Sequence, residues 1–406
     1  MKDRAYARGR STIWSNFSRL SLAVLDDVYA PPAQPFRAGG IMAAPGLAGL
    51  RMMTDGTGIL QHAIGTIPDR RHGYCLDDNA RALILMNQAE DMDPAERLSL
   101  SVTFASFVQH CWNPDTGRFR NFMRFDRQWA EDQGSDDSNG RALWSLGHSV
   151  AKACSTDIEL WALEWFDRTG HIALELSSPR AIAFAMLGAY HVLTVNEGHS
   201  LARDILECGG GILDQLLSRS RRPDWTWFEA VLGYDNPRLS EALLCAGITL
   251  NRKDWCAEGE DSLRFICERQ IGVNGHFRPI GSDGFGLAGE TLPFDQQPLE
   301  AWAAIDACRI ACIAGFDDQW RAHAEAAYGW FHGANDRGES LVDIKQGICR
   351  DGLTPRGVNR NSGAESLLAY QLSYYAMAEL IQICAREGES LAQTGSGAVP
   401  RPVAAA

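Results

Sequence analysis

Asp77–Leu85 reads DDNARALIL, a polar cluster that runs straight into an apolar stretch with helical spacing, and five later segments repeat the arrangement. They are DSNGRALWSLG (Asp137–Gly147), SSPRAIAFAMLG (Ser177–Gly188), DNPRLSEALL (Asp235–Leu244), DQQPLEAWAAI (Asp295–Ile305) and NSGAESLLAYQL (Asn361–Leu372). Anchored on Arg81, Arg141, Arg180, Arg238, Glu300 and Glu365, successive clusters lie 60, 39, 58, 62 and 65 residues apart. That spacing suits helical hairpins, one per cluster, because a repeated period of this size marks a stacked two-helix unit. Six hairpins closed into a ring would bring six polar helix N-termini to one crater.

Five further amphipathic stretches lie between the clusters, at about Pro94–Trp112, Asp157–Thr169, Ser200–Leu217, Glu258–Gln270 and Asp317–His332. A sixth, Arg10–Tyr29, places Ile13, Phe17, Leu20, Leu22, Val24, Leu25 and Val28 on one broad face before PPAQP ends it. Six outer helices thus match six inner ones. The expected architecture is all-α, an (α/α)6 toroid in a single domain over residues 1–386. The Gly-, Ser-, Pro- and Ala-rich residues 387–406 read as a disordered tail. Inner-to-outer connections are short, whereas outer-to-inner ones are long and aromatic, so function belongs at the inner helices' N-terminal end. There, GRFRNFMRFDRQW alternates like a strand pair and predicts small β-hairpins decorating that end.

A formal net charge of -13 argues against nucleic-acid and anionic-membrane partners, which recruit basic patches. Eleven cysteines without a CxxC pair suit a reducing cytoplasm, and MKDRAYARGR is followed by no apolar signal core. The ten dispersed histidines offer no metal-ligand spacing. The triple glycine Gly209–Gly211 lacks the Lys-Ser/Thr of a phosphate loop. Neither metal nor cofactor is expected.

Cleavage of a glycosidic bond needs one carboxyl that is protonated and one that is ionised. Carboxylates at helix N-termini are held ionised by free N–H groups, and those shielded by aromatics are pushed toward the acid form. Asp77–Asp78 and Asp136–Asp137 stand in the first kind of place, Glu229 of WTWFEAVLGYDN in the second. Glu229 is therefore the expected general acid, and Asp137 or Asp78 the base that activates water. Asp55, Asp77, Asp136 and Asp295 are expected to bind sugar hydroxyls, with Arg141, Trp225, Trp227 and Tyr234 completing the subsites. Against this stand ordinary roles: caps for the aspartates, and salt bridges around the ring for at least two of the four repeat arginines. Glu241, Glu300 and Glu365 fit the same structural reading.

Taken together, MTDGTGILQHA, GYCLDDNARAL, GSDDSNGRALW, WTWFEAVLGYDNPRLSEALL, PFDQQPLEAWA and NRNSGAESLLA resemble the six-hairpin (α/α)6-barrel glycosidase superfamily. More narrowly they are similar to a bacterial group often labelled glycosyltransferase-like, which accompanies glycosyltransferases or mannoside phosphorylases. The resemblance covers about residues 36–386. It implies an active site at one mouth of the toroid and an inverting, two-carboxylate glycoside hydrolase acting on a mannose- or glucose-containing oligosaccharide, functionally associated with a glycosyltransferase. A sugar epimerase or lyase on the same toroid is the second reading. A non-catalytic glycan-binding partner of a glycosyltransferase is the third.

Overall fold

A computed structural model describes residues 43–286, 292–317 and 319–395, with side chains as far as residue 385. The outer helix expected over Arg10–Tyr29 lies outside the described residues. Twelve α-helices are present among them. A short α1 (Ala48–Met53) leads in, and the inner helices are α2 (Leu76–Gln88), α4 (Asp136–Lys152), α6 (Pro179–Val195), α8 (Pro237–Thr249), α10 (Pro298–Ile313) and α12 (Ala364–Gly395). The outer helices are α3 (Pro94–Cys111), α5 (Thr156–Thr169), α7 (Ser200–Ser220), α9 (Lys253–Arg269) and α11 (Gln319–Phe331). Each inner helix packs on the next, and α12 packs back on α2, so the ring is closed. α12 continues past Glu387 to Gly395, where the sequence suggested a tail; Glu, Leu, Ala and Gln there favour a helix.

Local chemistry sets the helix starts. Asp93, Ser155 and Ser178 each accept a backbone N–H of the first turn, and Pro94 and Pro179 follow two of these caps. The shortest interval in the sequence has a packing counterpart, because α4 and α6 meet backbone to backbone. A Cβ on Gly147 would lie 2.1 Å from the Gly188 carbonyl oxygen, and one on Gly188 2.4 Å from that of Leu143. In the triple glycine, Gly209 clears Met186 and Gly210 clears the Trp255 ring, so two of its three residues serve helix packing.

The core runs around the ring. Trp144 and Trp302 stack with centroids 5.5 Å apart, and the buried Arg238 guanidinium lies 4.8 and 4.2 Å from their rings. Glu241 and Asp306 neutralise it at 2.6 and 2.8 Å. All eleven cysteines are free.

Small two-stranded ladders decorate the end where the inner helices begin. β1 (Ala63–Ile64) pairs with β2 (Ile67–Pro68), and β4 (Trp112–Asn113) with β5 (Arg118–Phe119). β7 (Val342–Asp343) pairs with β8 (Ile348–Cys349), and β9 (Leu353–Thr354) with β10 (Gly357–Val358). The alternating 118–129 segment folds back on itself only through an antiparallel Met123–Trp129 bridge, with Arg124 N–H donating to Gln128 O and Ala130 N–H to Phe122 O at 2.9 Å. Its β6 (Phe122–Met123) pairs with β3 (Tyr74–Cys75) from the preceding loop, a partner that alternation cannot specify. The ring is also closed by backbone: Gly46 N–H donates to Ile344 O and Gly49 N–H to Gln346 O, both at 2.8 Å, while buried Gln371 donates to Gly46 O and Gly347 O.

Candidate active site

Three of the six clusters share a register around their arginine. Asn79, Asn139 and Asn236 all lie two residues before it and all are buried. Asn79 Oδ1 accepts the Ile59 N–H at 3.0 Å while its Nδ2 donates to Cys75 O at 2.8 Å. Asn139 repeats this with Phe119 N–H at 2.9 Å and Ser135 O at 2.9 Å. Each asparagine thus ties the incoming loop to the first turn of its helix. The sequence reading passed over them, although their constant offset was visible.

The same register puts Asp77 and Asp137 in equivalent positions, four residues before Arg81 and Arg141 on neighbouring inner helices. Neither is a cap; both lie inside the first turn. In each Asp-Asp pair one carboxylate is tied down by two or more hydrogen bonds, and the other is more open in that it accepts a single side-chain hydrogen bond. Asp78 is the tied member of the first, 3 % exposed, with Oδ1 accepting from Arg81 at 2.9 Å and Oδ2 from the Cys75 thiol at 3.0 Å. Burial pushes it up to about 7 against the pull of Arg81. With both oxygens engaged and no open face, it is part of the wall and has no access to a water nucleophile.

Asp136 is the tied member of the second pair. One oxygen accepts from Ser177 N and Oγ at 2.9 and 2.8 Å and from Ser178 N at 3.2 Å. Partial burial raises this acid, but those hydrogen bonds outweigh it and leave it below the ordinary value. It splices α4 to the start of α6.

The open members face a shared arginine. Asp77, whose side chain is 24 % exposed, has Oδ1 at 3.6 Å from Arg141 Nε and Oδ2 accepting from Asn121 Nδ2 at 2.9 Å. Asn121 Oδ1 also receives the Leu76 and Asp77 N–H groups, capping α2 from the next loop. Asp137 accepts the Ser178 hydroxyl at 2.8 Å, and burial raises its pKa against that bond and the charge of Arg141. Asp77 raises it further and Arg180 lowers it, so these groups share one field.

Arg141 continues across the ring. Its Nη2 donates to Asp235 Oδ2 at 2.9 Å, its guanidinium lies 3.9 Å from the Phe184 ring centroid, and its buried Nη1 has no hydrogen-bond partner. Arg180 donates to Glu229 at 2.7 Å, to Asn236 Oδ1 at 3.1 Å and to Tyr234 O. Arg81 reaches Glu365 at 2.9 Å, joining the first hairpin to the sixth. All four repeat arginines therefore pair with acids, where the sequence reading expected this of at least two.

The aromatic shield expected around Glu229 is not what the chain builds. Trp227 is fully buried and stacks near Phe265, and buried Trp225 meets the same ring edge-on while donating to the Glu229 carbonyl at 2.7 Å. Neither offers a face to a sugar, because both are consumed in packing between the loop and α9. Tyr234 is half-buried beneath the Arg180 guanidinium. Glu229, its side chain 25 % exposed, is engaged as a carboxylate by Arg180.

Two expected residues stand apart from this cluster. Asp55 is exposed and makes an Asx turn, accepting Thr57 N–H at 2.8 Å and the Tyr74 hydroxyl at 2.6 Å. Half-buried Asp295 is raised by burial and then by Asp283, with Arg356 opposing. Its neighbour Gln296 is held by Trp330 Nε1, by Asp336 and by both backbone bonds to Leu353. A groove of about 510 Å³ lined by Leu174, Ile182, Ile205 and Ile212 lies between α6 and α7. Among the described residues no group of three or more His, Cys, Asp or Glu side chains fits a metal ion, and no helix is long and apolar enough to cross a membrane.

No protein-family model and no curated protein matches the sequence. Solved structures do. A sugar epimerase from a ruminal bacterium aligns with TM-score 0.63 at 12% identity, covering 82% of this chain and 94% of its own. A D-mannose isomerase gives TM-score 0.63 at 10% identity over 83% and 95% of the two chains. An α-1,6-mannanase of glycoside hydrolase family 76 from Salegentibacter sp. gives 0.54 at 12% identity over 82% and 96%. That mannanase is also known as an inactive variant, with two adjacent aspartates changed to alanine, in complex with α-1,6-mannotetrose. The chain shares its fold, an (α/α)6 toroid, with this epimerase, isomerase and mannanase.

Proposed function

We propose that the protein is a glycoside hydrolase acting on a mannose-containing oligosaccharide, with Asp137 as proton donor and Asp77 as the base. One observation carries the reading: Asp77 and Asp137 hold the same repeat position on adjacent inner helices, and Arg141 sits within reach of both. Burial favours the protonated form of Asp137, as an acid requires. Arg141 and Asn121 engage Asp77 as a carboxylate, as a base requires. Asp137 gives its proton to the glycosidic oxygen as the C–O bond breaks. Asp77 takes a proton from the water that attacks the anomeric carbon. Glu229, its side chain 25 % exposed, binds sugar hydroxyls. Asp137 thus takes the donor role expected of Glu229, which has an arginine where aromatics were expected, and Asp77 takes the base role expected of Asp137 or Asp78.

Support comes from the family 76 mannanase, inactive when two adjacent aspartates are removed. Two of the structural neighbours named above also have mannose in their names. The epimerase reading needs a group that moves a proton next to a carbonyl. Yet among the described residues the hydrogen bonds formed by Asp77, Asp137, Arg141, Arg180 and Glu229 include no histidine; His148 and His191 are packed together far along α4 and α6. The test is mass spectrometry of linear α-mannooligosaccharides and glucooligosaccharides incubated with the protein in ¹⁸O-water. Shorter products carrying one ¹⁸O at the new reducing end are expected, and they vanish in Asp137→Asn and Asp77→Asn. An isomer of unchanged mass would make the protein an epimerase, and full activity in both variants would overturn the residue assignment.

A further inference from the structure

Glu300 sits fully buried in the first turn of α10, yet no arginine pairs with it. Its carboxyl accepts the backbone N–H groups of Asp235 and Asn236. Asp235 has a left-handed backbone (φ 51) and Asn236 a right-handed one (φ -57). Successive residues of opposite hand turn their N–H groups toward one point and form a concave nest for an anionic or carbonyl oxygen. Glu300 fills that nest from the neighbouring hairpin.

Two of the repeat arginines, Arg141 and Arg180, hang from the same turn. The Asp235 side chain holds Arg141, which meets Asp77. Asn236 Oδ1 and Tyr234 O hold Arg180, which meets Glu229. Gly233 closes the turn, its N–H and C=O both bonded to the Asn236 amide at 3.0 and 2.7 Å. A non-glycine residue at positive φ is held there at some cost, so the turn needs an anchor. Glu300 is that anchor.

We propose that Glu300 is the positioning residue of this site, fixing through the Asp235–Asn236 nest where both Arg141 and Arg180 point. The inference rests on the hydrolase reading for its kinetic consequence but not for its geometric one. A misplacement of about 1 Å can cost on the order of 10²-fold in rate.

Two variants test it. Glu300→Gln keeps a carbonyl oxygen in the nest, whereas Glu300→Asp withdraws it by one methylene. The aspartate variant is expected to fold but to lose at least about tenfold in kcat/KM, and glutamine restores most of it. In an Arg141→Ala background, Glu300→Asp should add much less, since residues acting through one another are not additive. Wild-type kinetics in Glu300→Asp, or losses that simply multiply, would overturn the proposal. A crystal structure of Glu300→Asp reads the geometry without turnover: both guanidinium groups should shift from Asp77 and Glu229. Unmoved arginines sink the positioning role even if no oligosaccharide is cleaved, while moved arginines without wild-type turnover would remove only the hydrolase reading.

Discussion

Arg141 Nη2 meets Asp235 Oδ2 at 2.9 Å, which joins the second hairpin to the fourth past the intervening α6. The bond spans 94 residues and exists only because the ring closes. It holds a buried guanidinium between acids on two sides, Asp77 and Asp235.

The carboxylate assignment makes the first prediction. Asp137→Asn and Asp77→Asn should each reduce turnover by roughly 10²–10⁴-fold with little change in melting temperature, checked by product release and calorimetry. Because burial raises the Asp137 acid, its deprotonation should set the alkaline limb of kcat/KM at a higher pH than an exposed aspartate would. A limb unchanged by moving that environment, for instance in Ser178→Ala, would argue against Asp137 as donor.

Arg238 should be a stability hot spot. Arg238→Met leaves buried Glu241 without its ion-pair partner and Asp306 with Arg309 alone, a loss of about 3–5 kcal/mol by urea unfolding. Arg238→Lys should recover little, since a single ammonium lacks the planar, multi-donor guanidinium that meets Glu241 and Asp306 while lying 4.8 and 4.2 Å from the Trp144 and Trp302 rings.

Glu300 predicts a pH dependence of folding. Burial, then the nearby Asp235 charge, raises it from 4.5 to about 8 in the native protein. Between those values the folded chain holds a proton that the unfolded chain has released. Stability from this group is therefore full below pH 4.5 and is lost as the pH climbs to 8, by on the order of a few kcal/mol. Glu300→Gln cannot ionise, so its stability curve should be flatter over that window; parallel curves would refute the mechanism.

Two glycine substitutions should have opposite signs. Gly147→Ala drives a methyl against the Gly188 carbonyl, at about 1–3 kcal/mol in thermal unfolding. Gly211→Ala meets nothing within 4 Å and lies within α7, so it should stabilise by roughly 0.5–1 kcal/mol.

The helices were legible because amphipathic spacing and caps are local properties, and the predicted outer helices 94–112, 157–169 and 200–217 match α3, α5 and α7 to within a few residues. The crater was legible too, since six polar clusters before apolar runs need a common polar end. What local pattern could not decide was which member of each pair is the more open. Asp77 and Asp78 are neighbours in sequence, yet a 100° step around the helix separates an open acid from one locked to Arg81. Nor could the aromatic neighbours of Glu229 in the chain predict its environment, because Trp225 and Trp227 turn toward α9 while Arg180 arrives from α6. The sequence by itself determined six helix starts and their chemistry. Only closure of the ring, which brings arginines and carboxylates from distant hairpins within 3–4 Å, decided which of them meet.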